Sequence, residues 1–122
     1  MHIISFLIKL PLFKRLLPSL IRRLLIIFKY YLISINYKNI NLTLDIRDGI
    51  DRSILFKHEY EDSQIEELSR NTEKFKIDTF IDVGSNIGIY SLLIANNHKN
   101  IKVFAFEPHP SAFKRLNQNI GN

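Results

Sequence analysis

The apolar positions near the start of the chain follow a helical period, and those after residue 39 alternate. From Pro18 onward, Leu20, Ile21, Leu24, Leu25, Phe28, Tyr31, Leu32 and Ile35 recur at i, i+3 and i+4, which predicts an amphipathic helix with Arg15, Arg22 and Lys29 on another face. Pro11 and Pro18 break the first twenty residues, because proline lacks the N–H that a helix interior needs, and Pro18 suits the first turn of the helix that follows. Ile40, Leu42, Leu44 and Ile46 then alternate with Asn41, Thr43, Asp45 and Arg47, the period of a half-buried strand, before a turn at Asp48-Gly49. Residues 50–62 mix both periods and receive no assignment. Ser63-Gln-Ile-Glu66 has the spacing of a capping box, ahead of a helical face made by Ile65, Leu68, Thr72 and Phe75.

The remaining pattern is more regular. Phe80 to Val83 reads as a short apolar strand and Gly84 to Gly88 as a loop. A helix with Ile87, Tyr90, Ser91 and Ile94 on one face comes next, and Ile101 to Phe106 is a second apolar strand ahead of a Pro110-led helix. This is a βαβ unit, and such units are almost always right-handed crossovers with parallel strands. Both strands then end at one edge of the sheet, which is where ligands bind in open α/β sheets. The glycine loop and Glu107 are expected to meet there.

Composition narrows the classes. The 122 residues are 46% apolar and 24% charged, with no cysteine, so the chain is not disordered and has no disulfide scaffold or thiolate zinc site. The net charge of +5 is unevenly placed: residues 1–44 hold four Lys and three Arg with no acid, and residues 45–122 hold ten basic and twelve acidic residues. The basic N-terminal arm has no uncharged run near the roughly 20 residues a bilayer-spanning helix needs, and it lacks the features of a secretory signal. Its amphipathic helix admits two readings. One is contact with an anionic membrane surface through residues 1–38. The other is a packing helix with a solvated basic face, favoured by Ile26 and Ile33, which interrupt that face. The acidic remainder of the chain argues against a nucleic-acid partner. The four histidines are scattered, so no metal site is expected. Zero cysteine and the lack of a signal favour the cytoplasm, with peripheral membrane contact as the variant.

The candidate chemistry lies in the βαβ unit. Gly84 and Gly88 allow a sharp turn and close approach of a ligand to the backbone. Asn86 stands where a dinucleotide-binding loop carries its second glycine. Asparagine tolerates a left-handed backbone, but its side chain obstructs a pyrophosphate, which points to a nucleoside ligand without one. Glu107, ending the second strand, can accept hydrogen bonds from two vicinal ribose hydroxyls. Asp82, ending the first, can orient the loop or face a cation.

The runs Phe80-Ile-Asp-Val-Gly-Ser-Asn-Ile-Gly-Ile-Tyr-Ser-Leu92 and Val103-Phe-Ala-Phe-Glu-Pro-His-Pro110 resemble the first two motifs of the FkbM-type S-adenosylmethionine-dependent methyltransferases. Leu44-Asp-Ile-Arg-Asp-Gly49 and Glu59-Tyr-Glu61 are similar to that family's less regular lead-in, and Ser85 replaces its usual alanine. The resemblance implies S-adenosyl-L-methionine as cofactor, with Asp82, Gly84, Asn86 and Gly88 around its methionine portion and Glu107 on the ribose. It also implies methyl transfer to a small-molecule or glycan-like hydroxyl acceptor. The fold so implied is α/β, a Rossmann-like methyltransferase sheet represented by its first βαβ unit. The expected organisation is a basic helical arm over 1–38, a strand and helix lead-in over 39–76, and the βαβ portion over 77–122. On this reading the chain is an N-terminal fragment, inactive alone, with an unpaired apolar edge on its first βαβ strand and a glycine C-cap at Gly121. The competing non-enzymatic reading is a membrane-binding arm joined to a degenerate half unit.

Overall fold

The computed structural model describes the backbone of residues 11–121 and the side chains of residues 19–121. The opening stretch of the arm, residues 1–10, lies outside them. The described residues form an α/β fold of five helices and two two-stranded sheets.

Helix α1 (Pro11–Ile27) begins earlier and ends earlier than its periodicity suggests. Pro11 occupies the first helical position, where no N–H bond is lost, and the helix runs on through Pro18 instead of starting there. It stops in a Schellman arrangement. Tyr30 N donates to Leu25 O at 2.8 Å and Lys29 N to Ile26 O at 3.0 Å, with Lys29 left-handed at φ 60°. A lysine rather than a glycine makes this turn, so the sequence gives no stop signal. Leu32 and Ile35, expected on the helix, therefore belong to strand β1 (Leu32–Tyr37).

Strand β1 pairs antiparallel with β2 (Ile40–Asp45) through a two-residue turn, Lys38-Asn39, with both residues left-handed at φ 49° and 67° as a type I′ hairpin requires. Strand β2 is not half-buried. Leu42 and Leu44 are enclosed on one side, and Thr43 and Asp45 are also buried on the other. The C-terminal helix α5 (Pro110–Ile120) explains the second side, because Asn119 Oδ1 accepts from Thr43 N at 2.8 Å.

Asp48-Gly49 opens a helix, α2 (Gly49–Lys57), within the stretch that local periodicity left unassigned. The Asp48 carboxylate caps it, accepting from Ile50 N at 2.8 Å and Asp51 N at 3.2 Å. Helix α3 (Asp62–Lys74) has Glu61 as its N-cap residue with no side-chain cap, so the expected Ser63–Glu66 capping box does not form. Asp62 is engaged instead by Lys38 Nζ at 2.7 Å and Tyr37 Oη at 3.2 Å, which tie the helix start to the hairpin. Of the predicted face, Ile65 and Thr72 are buried and Phe75 is exposed.

Tyr37 is fully buried, and burial, reinforced by the Asp62 charge and hydrogen bond, pushes its hydroxyl up to about 12. The unfolded chain releases this proton near 10. Folding stability is therefore expected to hold below that value and to fall as pH rises through about 12. Urea unfolding across this interval should show the loss in the wild type, and Tyr37→Phe should remove that part of the slope.

Strands β3 (Thr79–Val83) and β4 (Lys102–Phe106) pair in parallel, Phe80 opposite Val103 and Val83 opposite Phe106, joined by helix α4 (Ile89–Asn97). Ile87, Ile89 and Leu93 enter one core with Tyr37, Leu42, Leu44, Ile54 and Ile65. One face of the parallel pair, with Phe80, Asp82, Val103 and Ala105, is half-buried; Ile81, Val83, Phe104 and Phe106 on the other are exposed, Val83 by 82%. Among the described residues β3 pairs only with β4, so its other edge is unpaired. Gly121 follows α5 with right-handed φ −82°, so the cap makes no use of glycine's left-handed freedom.

Candidate functional site

The turn from β3 to α4 is held by the end of β4. Gly84 N and Ser85 N both donate to Phe106 O, at 2.8 and 3.1 Å, and Gly88 N donates to Ser85 O at 2.8 Å. Gly84, Asn86 and Gly88 are left-handed, at φ 85°, 50° and 90°, the conformation that glycine and asparagine tolerate best. The two glycines differ in purpose. A Cβ on Gly84 would meet nothing within 4 Å, so the space before it is open; one on Gly88 would lie 2.5 Å from Leu116 Cδ1. At Gly88 the left-handed backbone and the Leu116 side chain of α5 both disfavour a Cβ, and close ligand approach is left to Gly84.

Glu107 secures the loop from the other strand. Its Oε2 accepts from Asn86 N at 2.8 Å and its Oε1 from His109 N at 2.7 Å. A carboxylate offers about four acceptor positions, so lone pairs remain on both oxygens. Asp82 Oδ2 accepts from Ser91 Oγ at 2.6 Å, which fixes the carboxylate against the first turn of α4.

A cleft of about 310 Å³ lies beside the loop, lined by Tyr60, Glu61, Asp82, Gly84, Ser85, Asn86, Ile89 and Tyr90. Three of the five expected residues, Asp82, Gly84 and Asn86, face it; Glu107 joins through Asn86, and Gly88 stands behind the loop. Tyr60, Glu61 and Tyr90 were not expected as site residues. Tyr60 and Tyr90 meet edge to face with ring centroids 6.4 Å apart, and Tyr90 Oη donates to Glu61 Oε2 at 2.7 Å. Burial and then the bond to Glu61 raise the Tyr90 hydroxyl well above its ordinary value, and burial and then the Glu61 charge raise that of Tyr60. Both remain hydrogen-bond donors at neutral pH. The usable signal was the Glu59-Tyr60-Glu61 triplet, which marks a likeness but not a position in space.

The lining holds two carboxylates, two aromatic rings and no Lys or Arg. Such a wall suits a cationic group, by charge and by cation–π attraction. No group of three His, Asp or Glu able to hold a metal ion occurs among the described residues.

Ser85 is buried, and its Oγ has no hydrogen-bond partner. A buried unpaired hydroxyl costs about 1–3 kcal/mol. Ser85→Ala is accordingly expected to stabilise the ligand-free protein by about 1 kcal/mol in urea unfolding, and a loss of stability would show that the hydroxyl is satisfied.

No family model matches the chain, and no solved structure matches it. Among curated proteins it is similar to the AMB antimetabolite synthetase AmbE of Pseudomonas aeruginosa, with 46% identity over 41 residues. The aligned stretch is 34% of this chain and 2% of that protein, so the likeness covers a local segment.

Proposed function

We propose that the chain supplies the cofactor-binding βαβ unit of a Rossmann-like, S-adenosyl-L-methionine-dependent methyltransferase of FkbM type. One observation carries this reading: the left-handed glycine loop after β3 and the Glu107 carboxylate after β4 meet at the same sheet edge, bonded through Asn86 N. That is where an open parallel sheet binds nucleosides. The residues fit the cofactor. Glu107 retains lone pairs for ribose hydroxyls, Gly84 leaves room for close approach, and Asp82 and Glu61 with the two tyrosines suit an ammonium and a sulfonium.

When bound, the cofactor supplies an electrophilic methyl group. The chain's own residues bind and orient it, which is most of what transfer to a well-placed nucleophile needs. The acceptor in this reading is a hydroxyl on a small molecule or glycan, and the base that takes its proton comes from outside the residues assigned here. A parallel sheet is normally covered on both faces. The bare face formed by Ile81, Val83, Phe104 and Phe106 therefore supports the view that further αβ units complete the domain and its acceptor pocket.

Calorimetric titration of the 122-residue chain with S-adenosyl-L-methionine tests the reading. Saturable one-site heat, with a rise in thermal midpoint as ligand is added, is the expected result. A folded sample that takes up no cofactor would leave the non-enzymatic alternative standing.

A further inference from the structure

Helix α1 is arranged the wrong way round for a helix surrounded by water. Among its described side chains Ser19, Arg22 and Leu25 are half-buried, and Ser19 and Arg22 share a cleft of about 420 Å³ with Arg52, Ser53, Phe56 and Lys57 of α2. Leu20, Ile21, Leu24, Ile27 and Phe28 fall on one continuous stripe and are exposed, Ile27 and Phe28 by 71% and 67%. A surface helix ordinarily turns its apolar stripe to the core. Here the stripe is the outer surface, and a contiguous exposed apolar patch marks an interaction site.

Charge identifies what it meets. Arg23 is exposed beside the stripe and Lys29 is exposed immediately beyond it, whereas Arg22 faces the cleft with α2 and Lys38 is paired with Asp62. Ile33, which as a helical residue would spoil the polar face, lies in β1. A partner that presents apolar and anionic groups side by side fits this surface. No described helix is long and apolar enough to cross a membrane, and an amphipathic helix with basic residues beside its apolar stripe suits the plane of an interface.

We infer that α1 docks the protein on an anionic lipid surface, with Leu20, Leu24, Ile27 and Phe28 inserted among the acyl chains and Arg23 and Lys29 at the headgroups. This surface is independent of the cofactor cleft. It places the remaining elements at the membrane without embedding them.

Vesicle flotation of the full chain tests the inference, using phosphatidylcholine vesicles with and without phosphatidylserine. The wild type should float with the anionic vesicles and far less with the neutral ones, and added salt should release it. Arg23→Gln should lower partitioning about fivefold, the worth of one basic residue near such a surface. Leu24→Glu combined with Phe28→Glu should abolish flotation while leaving thermal unfolding unchanged, because both side chains are exposed. Equal flotation of this double variant and the wild type overturns the inference, as does a wild type that stays unbound. A wild type that runs as a dimer, is made monomeric by the double variant and never floats would assign the stripe to a second copy of the chain instead.

Discussion

Replacing Arg115 with alanine is expected to lower folding stability by about 3–5 kcal/mol, the cost of leaving one buried charge without its partner. Asp51 is completely enclosed. Its Oδ2 accepts from Asp45 N at 2.7 Å and from the Arg115 guanidinium, and its Oδ1 has no partner. The pair joins α2 to α5, elements 64 residues apart in sequence, and so locks the lead-in onto the βαβ unit. Burial raises the Asp51 carboxyl above the usual range, and the Asp45 amide and Arg115 pull it back. Removing Arg115 takes away one of those opposing influences, so the carboxyl rises further in the folded variant.

The sign of the pH dependence follows. A carboxyl raised in the folded state contributes its stability below the ordinary value near 3.9 and loses it as pH climbs through the folded value. The gap between Arg115→Ala and wild type should therefore be largest near pH 7 and shrink toward pH 4. Urea unfolding at the two pH values measures this. Asp51→Asn should rescue much of the loss in the Arg115→Ala background, because the buried charge is gone while an acceptor for Asp45 N remains. A gap independent of pH, or no rescue, would mean that the pair acts only through packing.

How much of this was legible in the sequence depends on whether the cause was local. The βαβ unit was, because two short apolar runs, a glycine loop and a Pro110-led helix each carry their own signal. The left-handed positions Gly84, Asn86 and Gly88 were also legible, since few other residue types adopt that conformation cheaply. The end of α1 was not: Lys29 takes the left-handed turn that glycine would have announced, and the apolar spacing runs on into β1. The helix at Gly49–Lys57 was hidden because Asp48-Gly49 reads equally as a turn or as a cap and first residue. Long-range causes left no trace. Thr43 and Asp45 look like the wet side of a strand until α5 arrives some 70 residues later, and Tyr60 and Glu61 reach the cleft only when α3 starts beside Tyr90.

The cofactor reading makes its sharpest prediction at Glu107. Replacing it with alanine removes the acceptor for both Asn86 N and His109 N and the lone pairs assigned to the ribose. Hydrogen bonds to a charged group are worth about 1.5–3 kcal/mol each. Losing two such bonds to the ligand predicts a fall in S-adenosyl-L-methionine affinity of at least about 100-fold by calorimetry. Glu107→Gln should give an intermediate loss of about tenfold, since its amide keeps one acceptor oxygen and turns an NH2 toward a backbone N–H that cannot accept. Affinity could also fall because the loop loosens when Asn86 is released, and a 2′-deoxy form of the cofactor separates the two causes. If Glu107 holds the ribose, removing that hydroxyl weakens binding to the wild type about tenfold and makes little further difference to Glu107→Ala. If Glu107 serves only to clasp the loop, the deoxy cofactor loses the same factor with both proteins, and the ribose assignment fails while the structural role of the Asn86 bond stands.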